Sequence, residues 1–134
     1  MIRLIQFLKE KNHFLEKFFA LNESQITKLT AGSYEDLEKF YNQREDLLKI
    51  IKYIDAEINR AHMLHKDIVG QFTEEQKTEI RESMRTKEAY VRRILEQDLQ
   101  VLGMIDDAKS TIIKELQGIQ VARKAMNGYK VGVA

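Results

Sequence analysis

Apolar residues in this chain recur at alternating spacings of three and four through most of its length, and no proline interrupts them. At that period side chains return to one face of an α-helix, whereas strands alternate every second residue. Two short breaks, Gly32-Ser33 and Gly70 to Thr73, divide the pattern into stretches of about 2–30, 34–69 and 74–127, followed by a tail over 128–134. The third is the longest. At about 1.5 Å per residue it exceeds the second by roughly 25 Å.

Each stretch carries one continuous seam. Ile5, Leu8, Asn12, Leu15, Phe19, Asn22, Ile26 and Leu29 form the first; Leu37, Phe40, Arg44, Leu47, Ile51, Ile54, Ile58, Ala61, His65 and Ile68 form the second. The third runs through Met84, Lys87, Val91, Ile94, Asp98, Val101, Ile105, Ala108, Ile112, Glu115, Ile119, Ala122 and Met126 and is the most polar. Asn12, Asn22, Arg44, Lys87 and Asp98 interrupt the seams, as residues do that fix register or reach water from a seam edge. Gly32 is placed to end the first helix in a left-handed conformation, and Ser33 with Asp36 to cap the second. Thr73 with Gln76 repeats that capping pattern. Connections this short make neighbouring helices antiparallel. The expected fold is all-α: a single 134-residue domain, an antiparallel three-helix bundle or helical hairpin with an overlong third helix. A break at Gly103 or Gly118 would instead turn the end of that helix into a fourth.

Folding the second and third helices back on each other sets Tyr34 beside about Lys109. Later residues then have no partner from the second helix. Among them are Ile112, Ile113, Leu116, Ile119, Val121, Met126 and Tyr129. Burying seven such side chains is worth on the order of 10 kcal/mol before entropy. A monomer rarely leaves such a stripe in water, so the stripe is the candidate partner-binding site. From Gly118 onward Arg123, Lys124 and Lys130 meet no acidic residue, giving this end a basic character.

Composition removes several classes of function. With 22 basic and 21 acidic side chains the net charge is +1, too small a field for a dedicated nucleic-acid binder. No cysteine is present, which removes disulfides, thiolate metal sites and cysteine nucleophiles. Lys9, Glu10 and Lys11 interrupt the apolar start before a signal-peptide core forms, and no stretch approaches the roughly 18 uncharged residues of a membrane span. A cytoplasmic protein without stable membrane insertion is expected. His13, His62 and His65 are the only histidines, and Glu10-x-x-His13 is a single copy of a unit that di-iron bundles use twice. In the hairpin His13 falls opposite about Tyr53, some 13 Å along the axis from His62, so the groups do not converge. Neither a phosphate-binding glycine loop nor a serine with a base at motif spacing occurs. No enzyme activity, metal or cofactor is expected.

The segment Gly118-Ile119-Gln120-Val121-Ala122-Arg123-Lys124-Ala125-Met126-Asn127-Gly128-Tyr129 resembles the closing pattern of the flagellar-type export chaperones that escort hook-filament junction and filament-cap proteins. That pattern is a basic residue, small and apolar residues, then a tyrosine. The resemblance implies a cytoplasmic, non-enzymatic chaperone that shields an amphipathic helix of a secreted client. It makes Ile112, Ile113, Leu116, Ile119, Val121, Arg123, Met126 and Tyr129 the client surface. It also links Tyr129 with docking at the export gate. Two other readings stay open: a structural coiled coil that self-associates, at least as a homodimer, through its third helix, and a metal-binding bundle using His62 and His65.

Overall fold

A computed structural model describes the backbone of residues 2–65 and 72–133 and the side chains of 3–64 and 72–127. Helices α1 (Ile2–Thr30), α2 (Leu37–His65) and α3 (Glu74–Val133) make up the described secondary structure, with no strand among the described residues. The chain divides into two compact units, Met1–Val101 and Leu102–Ala134.

In the first unit the directions of the helices follow from their polar pairs. Lys11 of α1 bonds Asp55 of α2, and Lys28 bonds Asp36 just before α2, so these helices are antiparallel. Asn12 donates to the Ser83 carbonyl, Phe19 meets Tyr90 edge to face and Asn22 donates to Gln97, so the first part of α3 runs parallel to α1. This is the up-down-up bundle that short connections dictate, and the Lys11–Asp55 bond matches the register expected of His13 and Tyr53.

Two apolar clusters hold the unit together. Leu15, Phe18, Ile51 and Ile94 form one, with Leu47, Tyr90 and Val91 packed against it; Leu4, Leu8 and Ala61 form the other, covered by Ile58, Phe72 and Ile80. Each fully buried Leu, Ile or Phe contributes about 1.5–3 kcal/mol of transfer free energy.

A polar layer crosses all three helices near the first cluster. Asn22, fully buried at 0% exposure, donates through Nδ2 to Gln97 Oε1 at 3.3 Å and Asp98 Oδ1 at 3.1 Å. Arg44 Nη2 donates to Asp98 Oδ2 at 2.9 Å while its guanidinium lies over the Phe18 ring. Gln97 Nε2 donates to the Phe19 carbonyl at 3.2 Å and to Glu23 Oε1 at 2.7 Å. Three of the five polar residues that interrupt the seams thus meet in one place. Asn22 Oδ1 accepts no bond among the described residues, a cost of about 1–3 kcal/mol. Such a layer specifies register: sliding one helix by a heptad would strand Arg44 and Asp98 on apolar partners.

The helix ends show which local signals act. Ser33 N–H donates to the Lys28 carbonyl at 2.9 Å and Gly32 N–H to the Leu29 carbonyl at 3.0 Å, with Gly32 at φ 79°. This is the Schellman closure, and glycine adopts its positive φ without steric cost. Ser33 does not cap α2, however. That helix begins at Leu37, its first turn closed by Phe40 N–H on the Asp36 carbonyl, and the Asp36 carboxylate bonds Lys28 instead. Thr73 and Gln76 form the expected reciprocal box, with bonds of 3.0 and 3.1 Å. The expected end of the second helix, residues 66–69, and the Gly70-Gln71 part of the second break lie outside the described residues.

The second unit contains the rest of α3. Gly103 and Gly118 are both inside the helix, which spans 60 residues against 29 in each of α1 and α2, so the break that would make a fourth helix is not present. A Cβ at either glycine would meet no atom within 4 Å.

Candidate partner-binding surface

In the second unit Ile105 is buried and Met104 and Ala108 are half-buried, but every residue from Lys109 to Asn127 is exposed. Ile112 and Ile119 are each 50% exposed and Leu116 55%, a large apolar area for side chains of this type. Residues advance about 100° around an α-helix, so Ile112, Leu116, Ile119 and Met126 fall within roughly 80° of one another on one face, together with Ala108. This stripe is the core of the surface.

The remaining candidates distribute differently. Arg123 lies on the same face, eleven positions or about three turns beyond Ile112, and lends it one cation. Ile113 stands about a quarter turn off the stripe. Val121, nine positions beyond Ile112, falls on the opposite side of the helix, so one flat partner cannot cover both. The side chain of Tyr129 lies outside the described residues, as do those of Lys130 and His65.

A second apolar feature, not anticipated from the seams, lies on the first unit's part of α3. Leu95 and Leu99 are 59% and 75% exposed, four positions apart and on a face turned away from the buried Ile94 and Gln97. The signal was present as an apolar pair at i and i+4. A seam of threes and fours marks only one face of a helix, and this pair lies on another.

Small-molecule chemistry finds little support in the described residues. A cleft at Gln25, Lys39 and Phe40 holds about 80 Å³, and a wider one at Lys9, Asn12, Glu79 and Ser83 about 340 Å³ with only polar side chains around it. A third, lined by Phe7, Ala61 and Leu64 with Arg3, Glu57 and Arg60, holds about 100 Å³, so the two clefts that mix apolar and polar walls are well below the roughly 300 Å³ at which small-molecule pockets begin. No group of three His, Cys, Asp or Glu side chains is placed to hold a metal ion among the described residues. His13 packs edge to face on Phe14. Among the described residues no helix is long and apolar enough to cross a membrane. No protein-family model matches the chain, and neither a curated protein nor a solved structure matches it.

Proposed function

We propose that the protein is a cytoplasmic export chaperone or adaptor of flagellar type, which binds and shields an amphipathic helix of a secreted client. The observation that carries this reading is the stripe of Ile112, Leu116, Ile119 and Met126 in a run of residues with no buried side chain. An amphipathic helix is the partner whose own period of three and four matches such a stripe. The flagellar assignment comes from the resemblance of the Gly118 to Tyr129 segment. On the same ground Tyr129 is the candidate contact with the export gate. The role needs binding and release, with no catalytic group, metal or cofactor.

The test is co-purification from the native cytoplasm with the intact chain and with a variant carrying Ile112→Glu, Leu116→Glu and Ile119→Glu. Recovery of a secreted flagellar protein by the intact chain, lost in a variant of unchanged helicity, supports the reading. Identical partners for both proteins, or a collapse of helicity and thermal melt in the variant, would reject it.

A further inference from the structure

The charges beside the stripe constrain what can cover it. Ile105, Ala108, Ile112, Glu115, Ile119, Ala122 and Met126 form the seam of this segment, and Lys109, Leu116 and Arg123 recur every seven residues along one edge of it. The other edge, Met104, Thr111, Gly118 and Ala125, carries no charge. Lys109 and Arg123 are exposed, and neither makes an ion pair among the described residues. They stand fourteen positions apart, about 21 Å along the axis.

A second copy of this segment supplies no counter-charge in either direction. Packed antiparallel, like edges face each other and the two cations meet their own kind; packed parallel, they face the uncharged edge, and Glu115 meets Glu115 across the seam. Flanking charges of this sort set partner choice and orientation in helix pairing.

We propose that the occupant is a helix of a different protein whose apolar stripe is flanked on one edge by two carboxylates fourteen residues apart, seated against Lys109 and Arg123. Between them, opposite Glu115, it presents a basic or amide side chain. The inference rests on reading the stripe as a partner surface, and it narrows the client to acidic-edged amphipathic helices.

Two labelled synthetic amphipathic peptides, each about four heptads long and identical except for Glu or Lys at the two flanking positions, are titrated with the full-length protein by fluorescence anisotropy. At low salt the Glu peptide is expected to bind about tenfold tighter than the Lys peptide, and the double variant Lys109→Glu, Arg123→Glu is expected to reverse that order. Equal affinity for the two peptides, or a preference that survives the charge reversal, overturns the charge inference and leaves the partner surface standing. Failure of both peptides to bind overturns the partner surface as well.

Discussion

Two parts of α3 follow one apolar period and meet different surroundings. Between Ser83 and Val101 the seam residues Ile94 and Val101 are buried, the neighbouring Ser83 and Gln97 are buried with them, and the half-buried Asp98 holds Arg44. Between Lys109 and Asn127 the seam residues Ile112, Ile119 and Met126 recur at the same spacings and stand in water. Periodicity therefore identifies an amphipathic face without saying what covers it. The first region buries its apolar surface in the fold; the second leaves it exposed.

The largest effect that separates the packed first unit from the exposed stripe comes from deleting apolar side chains. Phe18→Ala should destabilise the protein by about 3–5 kcal/mol, because Phe18 is 2% exposed and packs with Leu15, Ile51 and Ile94. Leu116→Ala should change stability by less than about 0.5 kcal/mol. Urea titration of both variants checks the contrast, and comparable losses would erase it.

The polar layer comes next. Arg44→Met leaves the Asp98 carboxylate with only the Asn22 amide, and the Arg44–Asp98 pair is partly exposed, at 30% and 20%. The expected loss is about 1–2 kcal/mol, between the values for exposed and buried pairs. Adding Asp98→Leu should recover part of it. A double-mutant cycle by urea unfolding measures the coupling, and strict additivity would show that the layer does not act as a unit.

Glycine substitutions should act in opposite directions in the two units. Gly32→Ala forces a Cβ into a positive φ and should cost about 1 kcal/mol in urea unfolding. Gly118→Ala adds a Cβ in open space inside a helix and should favour that helix by up to about 1 kcal/mol, read as increased helicity by circular dichroism. A loss of helicity at Gly118→Ala would mean that the helix is interrupted there in solution.

The smallest effect is a titration. The hydrogen bond from Lys28, and then the charge of that ammonium, hold the Asp36 carboxyl below its ordinary value of 3.8. A depressed carboxyl pKa gives stability that is full above the ordinary value and is lost as pH falls through the lower, folded-state one. Lys28→Met should return the Asp36 midpoint toward 3.8 in a carboxyl NMR titration; an unchanged midpoint would remove Lys28 as the cause.

Much of the architecture was legible because its determinants are local. Gly32, and Thr73 with Gln76, announce helix ends through backbone geometry within a few residues, and the three seams specify helices directly. Ser33 misled because a capping residue followed three positions later by an acid is only a local preference, and the contact between Lys28 and Asp36 took the acid elsewhere. The meeting of Asn22, Arg44 and Asp98 was not legible, since each interrupts a different seam and only tertiary register brings them together. In the candidate surface the stripe itself was readable. Val121 is apolar, but its position around the helix sets it apart from the stripe, and the exposed Leu95 and Leu99 fall outside the seam, where the period of threes and fours does not mark them.

The central claim is that the 109–127 stripe is an association surface and contributes nothing to the folded core. Amide hydrogen exchange on the full-length protein, alone and with the acidic-edged peptide, tests it directly. Amides of α1 near Phe18 and of α3 near Ile94 should be protected close to the limit set by global unfolding. Those of 109–127 should exchange far faster and slow markedly when the peptide is added. Equally strong protection of 109–127 in the dilute, peptide-free protein would contradict the claim and make the stripe part of the core.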